Sequence, residues 1–153
     1  MTARVLLRDV AEADLDALFE HQRDPESVRM AAFPPRERAA FDAHWTRILA
    51  DATVTAKAIV VDGQVVGSAL SFLDGERRLV GYWIDRAHWG KGIATAALAR
   101  FLELVEARPL YAHVAADNLG SIRVLERCGF IAIDDRVAGE GVYRVAERVY
   151  ELR

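Results

Sequence analysis

The sequence predicts a mixed α/β fold, in which one β-sheet carries helices on its faces. A strand-forming run, Leu79–Ile84, leads through a glycine-rich turn into an amphipathic helix. Two apolar runs meet at Asp62-Gly63, a strong signal for a two-residue hairpin. Asp74-Gly75 allows a further hairpin into the run at Leu79, so much of the sheet is expected to be antiparallel.

Hydrophobic periodicity and breaker residues place the other elements in order along the chain. Asp24-Pro25 is interpreted as a turn, whereas Pro35 suits the first turn of a helix. Gly129 is expected to end the last helix, and the last two strands to form a closing hairpin. The predicted strands are Ala3–Arg8, Thr53–Val61, Gln64–Leu73, Leu79–Ile84, Pro109–Ala115, Phe130–Val137 and Val142–Leu152, and the predicted helices are Glu12–His21, Pro35–Ala50, Ala94–Val105 and Leu119–Cys128.

Length and composition exclude several classes of protein. The 153 residues suit one domain, 1–153, and are too few for two ordinary ones. A net charge of −3 argues against bulk nucleic-acid binding and against a basic membrane-binding patch. Cys128 is the only cysteine and the histidines lack metal-ligand spacing, so no disulfide and no metal are expected. Without a signal peptide or a membrane span, we expect a cytoplasmic protein.

The glycine-rich turn predicts an anion site. Gly90 and Gly92 let the backbone take positive φ or approach a ligand closely, and Lys91 lies between them. The first N–H groups of the helix that follows lack intrahelical partners, and the helix dipole favours an anion such as phosphate there. The spacing fits neither a P-loop nor a dinucleotide fingerprint. A turn that binds no ligand is the alternative for this stretch alone.

A second polar stretch, Asn118–Phe130, follows the next predicted strand. Asn118 is a good helix N-cap, and Ser121 lies in the first helical turn, where its hydroxyl can face a ligand. If the two strands are parallel and joined by one right-handed crossover, both helix N-termini lie at the same edge of the sheet. Two such N-termini facing one crevice can hold a long phosphorylated ligand.

These stretches together resemble a known family. The order strand, W-G-K-G-I-A-T, helix, strand and N-x-x-S-x-x-x-L-E-x-C-G-F is similar to the GNAT superfamily of acyl-CoA-dependent N-acetyltransferases. It is closest to the branch of the ribosomal-protein alanine acetyltransferases (RimJ/RimL-like). The resemblance is specific over residues 80–130. It implies a GNAT-like fold, a mostly antiparallel sheet with one splayed parallel pair, and acetyl-CoA bound in the opening.

The resemblance also implies roles for individual residues. The backbone of Ile84 would pair with the pantetheine arm, and Asn118 would hydrogen-bond to it. Ser121 would sit near the thioester sulfur. Phosphate binding would begin at Trp89, where the family usually has Gln or Arg, and the backbone amides of the turn would cradle the pyrophosphate: Gly90, Lys91, Gly92, Ile93, Ala94 and Thr95.

Two further departures concern catalysis. Many family members carry a Tyr as acid where this chain has Leu125, and a Glu as base where it has Leu79. An amine must lose a proton before it attacks, and His113 is our candidate base because a neutral imidazole suits that task. A structural histidine in a buried strand is the alternative. Glu76 is a weaker base candidate, since it faces the other side of its strand. Ser121 could donate a hydrogen bond to the thiolate, or could serve only at the helix N-terminus.

The sequence thus predicts an N-acetyltransferase that moves acetyl from acetyl-CoA to a primary amine by direct attack. Cys128 is a poor nucleophile candidate at a helix C-terminus. The alternatives are a catalytically weak acyl-CoA-binding sensor of the same fold and a nucleotide-binding module unrelated to CoA. The acceptor, a small-molecule amine or a peptide N-terminus, shows no motif. A homodimer is possible.

Overall fold

The computed structural model describes residues 4–31 and 34–153. Single turns of 3-10 helix, at 12–14, 86–88 and 141–143, join some of the longer elements. The elements are β1 Val5–Asp9, α1 Leu15–Arg23, α2 Pro25–Ala31, α3 Arg38–Ala50, β2 Thr55–Val61, β3 Gln64–Asp74, β4 Arg77–Ile84, α4 Ile93–Leu104, β5 Leu110–Ala115, α5 Leu119–Arg127, β6 Ile131–Ala138 and β7 Val145–Leu152.

One seven-stranded sheet runs through the molecule in the order β1-β2-β3-β4-β5-β7-β6. Every neighbouring pair is antiparallel except β4 and β5, which are parallel. These two strands are in register only at Leu79 and Tyr111 and diverge beyond that pair. The predicted mixed sheet with a splayed parallel pair is therefore confirmed, and the splay opens a gap in the middle of the sheet.

The predicted hairpins form as the turn residues require. Asp62 and Gly63 have φ of +50° and +77°, the positive values that a tight two-residue turn between β2 and β3 needs. Asp74 pairs with Arg77 across the next two-residue turn, which delivers the chain into β4. Turn chemistry thus sets the register at each hairpin end, and an irregularity between Ile59 and Val60 then shifts the β2–β3 register.

Helices cover both faces of the sheet, and each face has its own core. On one face α4 and α5 bury the main cluster, whose fully buried members include Ile59, Phe101 and Leu110. On the other face α1 and α3 bury a smaller cluster around Phe41 and Trp45. Burial of apolar surface in each core stabilises the fold by about 25 cal/mol for each Å² removed from water. β4 therefore lies between two packed layers, and its side chains reach both.

Several predictions differ from the structure, and three differences are instructive. Asp24-Pro25 starts α2 rather than a turn, because Asp24 caps the helix by accepting a hydrogen bond from the Ser27 amide at 2.9 Å. The third helix begins at Arg38, not Pro35, and the last strand begins at Val145, after a helical turn at 141–143. The predicted start of the first strand, Ala3, lies outside the described residues. None of the described helices is long and apolar enough to cross a lipid bilayer.

Candidate functional site

A cavity of about 470 Å³ lies where β4 and β5 diverge; we call it the larger cavity. Its lining comes from the N-termini of α4 and α5 on one face of the sheet and from α2 on the other. Tyr82 and Trp83 are consecutive in β4 and point to opposite faces, yet both line the cavity. The cavity therefore passes through the gap between the two strands. Arg123 and Arg127 of α5 add positive charge to its wall.

The glycine turn forms one end of the larger cavity. Gly90 and Gly92 have φ of +74° and +77°, which a residue with a Cβ would adopt only with strain. A Cβ at either position would meet nothing within 4 Å, so the space beside the backbone is open. The first bond of α4 runs from the Ala96 amide to the Gly92 oxygen at 3.1 Å. The amides of residues 93–95 precede it and so have no acceptor within the helix.

The end of β4 presents its backbone to the gap. The Asp85 amide donates to the Val66 oxygen of β3 at 2.7 Å, so the preceding residue, Ile84, directs its own N–H and C=O away from β3. The Trp89 indole donates to that Ile84 oxygen at 2.9 Å. Trp89 is thus positioned by the strand end, and of the Ile84 backbone groups the N–H is the one left to meet a ligand.

The start of α5 forms the opposite wall. The Asn118 side chain caps the helix by accepting the Ser121 amide at 3.2 Å, which leaves the Asn118 NH₂ group to face the larger cavity. The Ser121 hydroxyl lies 2.5 Å from the hydroxyl of Tyr82. Burial raises the pKa of Tyr82 to about 12, so its phenol stays protonated at neutral pH. The structure therefore brings together both sequence stretches and adds a tyrosine that the sequence did not single out for chemistry.

His113 lies away from the larger cavity. Its side chain is on the opposite sheet face from α4 and α5, and its Nδ1 accepts a hydrogen bond from the Arg136 guanidinium at 2.9 Å. Burial and the adjacent Arg136 charge lower the pKa of His113 and keep it neutral. Because the neutral imidazole accepts this hydrogen bond at Nδ1, its hydrogen is on Nε2. The Nδ1 lone pair, which a base would use to take a proton, is therefore already bound to Arg136. This geometry gives no support to the predicted catalytic role of His113.

Glu76 and Cys128, which were also weighed for catalysis from the sequence, lie outside the larger cavity as well. Glu76 lies in the turn between β3 and β4, at the far end of β4 from Ile84. Leu125 and Leu79 are buried in the protein interior and offer no proton. Burial raises the pKa of the Cys128 thiol, whose sulfur lies 3.8 Å from the Thr95 carbonyl oxygen.

Sequence reasoning missed the residues that α2 and the loop after β4 add to the larger cavity. Ser27 and Met30 line it from α2, and the Ser27 hydroxyl is buried without a hydrogen-bond partner among the described residues. His88 lines it from the loop, with Nδ1 3.4 Å from Asp85 Oδ2. An Asp followed by Pro is also a helix-start signal, and that interpretation of Asp24-Pro25 would have predicted α2.

A smaller cavity of about 390 Å³ adjoins the larger one, since Ala31 lines both. Its other walls come from Pro34, the β6–β7 turn and the start of β7. Glu140 and Glu147 supply two carboxylates, and none of the described residues that line it is basic. Glu147 forms an ion pair with the Arg136 guanidinium, its cross-strand partner, at 3.5 Å, which offsets part of its charge. A cationic group would be favoured in this cavity.

Comparisons with known proteins agree with the fold. Residues 4–131 match the family described as "Acetyltransferase (GNAT) domain". The uncharacterized N-acetyltransferase p20 of Bacillus licheniformis is 26% identical over an alignment of 142 residues, which covers 84% of this chain and 80% of that protein. The solved structure of spermidine N-acetyltransferase from Vibrio cholerae in complex with CoA and spermine has a TM-score of 0.82 at 19% identity, covering 95% of this chain and 94% of that one. Mycobacterium smegmatis RimJ in complex with CoA-disulfide has a TM-score of 0.79 at 23% identity, covering 97% and 81%.

Proposed function

Because the chain belongs to the GNAT acetyltransferase family, we propose that it transfers acetyl from acetyl-CoA to a primary amine by direct attack in a ternary complex. The single observation that carries this proposal is the larger cavity. It joins an open anion-binding turn at Gly90–Thr95 to the gap between β4 and β5 and to the hydroxyl of Ser121. In that order, these three parts of the cavity would bind the diphosphate, the pantetheine arm and the thioester of acetyl-CoA.

Each predicted contact to acetyl-CoA keeps its place in the proposal. The diphosphate would be held by the backbone amides from Gly90 to Thr95, with Lys91 and the arginines of α5 adding charge. The pantetheine arm would meet the Ile84 N–H and the Asn118 NH₂ group. The sulfur would lie near Ser121. Trp89 would act indirectly, because its indole holds the end of β4 in place.

The smaller cavity supports a cationic acceptor. An amine nucleophile arrives as an ammonium ion, and the Glu140 and Glu147 carboxylates would attract it before it loses its proton. The smaller cavity adjoins the larger one through Ala31, and the amine would bind there. A small polyamine and a peptide N-terminus both fit this charge pattern. The ribosomal-protein alanine acetyltransferase branch remains part of the proposal, supported by the W-G-K-G-I-A-T sequence.

Thiol release with a panel of amines tests the proposed function. Saturating acetyl-CoA, at about 100 times its Kd, is expected to stabilise the chain by about 2.7 kcal/mol, and spermine or an alanine-initiated peptide to release free thiol. An Nα-acetylated peptide that lacks a free amine is the negative control. Stabilisation by CoA with no thiol release from any amine would favour the weak acyl-CoA sensor. Stabilisation by ATP or NAD, and none by CoA, would overturn the CoA assignment.

A paired substitution tests the acceptor site. Glu147→Gln is expected to lower kcat/KM for a cationic amine about tenfold, with the KM for acetyl-CoA unchanged. Glu151→Gln, on the same strand and the same face, is the matched control, because Glu151 pairs with Arg153 outside the cavity. Equal losses in both variants would contradict an amine site beside Glu147.

The proposal also names a base for the reaction. His88 is better placed than His113 to take the proton of the amine, because it lines the larger cavity beside Asp85.

The location and the assembly of the protein are also part of the proposal. A single reduced thiol, Cys128, supports a cytoplasmic location. The homodimer stays a prediction, and the exposed edge strand β6 with Ile131 at 68% exposure is the surface that supports it.

A further inference from the structure

Tyr82 lines the larger cavity from strand β4, on the sheet face that α4 and α5 cover. The ring of Tyr82 packs against the main core, under α4 and α5, while its oxygen lies 2.5 Å from Ser121 Oγ. That distance is at the short end for an O–H···O bond, so the two hydroxyls are closely coupled. Both residues line the same cavity, beside the cap that Asn118 makes.

The direction of this bond follows from the second contact of the phenol. If Ser121 were the donor, the phenol hydrogen would have only the Ser121 carbonyl oxygen, at a long 3.5 Å. If Tyr82 is the donor, its hydrogen goes to Ser121 Oγ at 2.5 Å, and the phenol hydrogen has a well-placed acceptor. The phenol is also the more acidic of the two hydroxyls. The hydrogen of Ser121 is then not used by Tyr82 and is free to meet a ligand in the cavity.

We propose that Tyr82 is a positioning residue, which holds the Ser121 hydroxyl so that its hydrogen faces the sulfur of the departing thiolate. The inference rests on the proposed function. The amine nitrogen bonds to the thioester carbon, the C–S bond breaks, and the electron pair stays on sulfur. The thiolate accepts a hydrogen bond from Ser121, and the proton that the amine loses leaves through the base to water.

Tyr82 supports this step without giving up its own proton. A thiol has a pKa of about 8.5 and the buried phenol one of about 12, so transfer from Tyr82 to the thiolate would be disfavoured roughly a thousandfold. The thiolate therefore leaves as a hydrogen-bonded anion and takes a proton from water on release. A positioned donor for a developing negative charge is worth more in a cavity that excludes water than in solution.

The thiol pKa of bound CoA tests the positioning role without any acceptor. Ultraviolet absorbance of the thiolate is followed against pH for CoA bound to the unmodified chain, Tyr82→Phe, Ser121→Ala and Tyr111→Phe. Tyr111→Phe is the matched control, since it removes a tyrosine hydroxyl from the adjacent strand β5, outside the cavity. Tyr82→Phe and Ser121→Ala are expected to raise the pKa of the bound thiol by about one unit, and the control to leave it unchanged. Affinity for desulfo-CoA is expected to stay the same in all four proteins.

Kinetics provide the second measurement. With acetyl-CoA and spermine, Tyr82→Phe is expected to lower kcat about tenfold at unchanged KM for acetyl-CoA. Added to Ser121→Ala, it is expected to cost nothing further, because it acts only through that serine. An unchanged bound-thiol pKa in Tyr82→Phe, or an equal kcat loss in both backgrounds, would overturn the positioning role alone. If the unmodified chain fails to bind CoA, the proposed function falls and this inference with it.

Discussion

We expect the turn before α4 to bind the diphosphate of CoA. A substitution in this turn tests that expectation, and a second glycine elsewhere in the chain provides a matched control substitution. Gly92 has a φ of +77°, and a Cβ there would meet nothing within 4 Å. Gly63, in the hairpin between β2 and β3, has the same φ and the same open space. A side chain at either position costs about 1–2 kcal/mol of backbone strain. Gly92→Glu and Gly63→Glu are therefore expected to lower the free energy of unfolding by similar amounts.

The two variants are expected to differ in CoA binding. A carboxylate at position 92 would stand beside the amides of Gly90–Thr95, whereas one at position 63 lies in a distant turn. Repulsion from two phosphate charges at about 4 Å in a water-like dielectric is about 2 kcal/mol, which weakens binding about 30-fold. Titration calorimetry of CoA against both variants measures this difference. If Gly92→Glu binds CoA as tightly as Gly63→Glu, the diphosphate lies elsewhere and the reasoning is refuted.

The remaining predictions concern stability and the candidate base. Gly67→Ala is expected to destabilise by about 3 kcal/mol, because its Cβ would lie 2.0 Å from a backbone oxygen of β4; Gly81→Ala, whose nearest neighbour is a side-chain atom at 4.0 Å, is the control in the same melting experiment. Hydrogen bonds from Arg8 hold the pKa of buried Asp14 below its usual value, so the stability that Asp14 contributes is present above about pH 4 and is lost as pH falls through its folded pKa. The gap in melting temperature between the unmodified chain and Asp14→Asn should accordingly shrink in acid, and a gap constant with pH would contradict this. His113→Gln is expected to leave the pH dependence of kcat unchanged; loss of its acidic limb would restore His113 as the base.

Local signals in the sequence were sufficient for the sheet and the glycine turn. The Asp62-Gly63 turn fixes the pairing of β2 with β3, because only positive φ at both positions joins the strands tightly. The N-cap at Asn118 forms as predicted, with its side chain accepting the Ser121 amide. Such features depend on a few neighbouring residues, so the sequence contains all that is needed to predict them.

Helix α2 shows where local signals stop being sufficient. Asp24-Pro25 is compatible with a turn and with a helix start, and a seven-residue helix has little stability of its own. The choice is made by tertiary contacts: Ser27 is buried, and Met30 lines the larger cavity. Since those contacts come from elements far along the chain, the sequence around α2 could not decide between the two structures.

The places of Tyr82 and His113 relative to the larger cavity also depend on contacts between distant parts of the chain. Alternation along a strand tells which residues share a face, and it places Tyr82 and Trp83 on opposite faces of the sheet. It does not tell where a sheet opens, and the splay of β4 from β5 is what exposes both residues to one cavity. His113 follows the same alternation on β5, but β7 pairs alongside and its neighbour β6 brings Arg136 across to the imidazole. The contact is diagonal and depends on the register of three strands, with β6 bulged between Ala132 and Asp134. Residue type and spacing therefore predicted the backbone of the glycine turn and the cap at Asn118, whereas the surroundings of His113 depend on long-range register that no single stretch of sequence specifies.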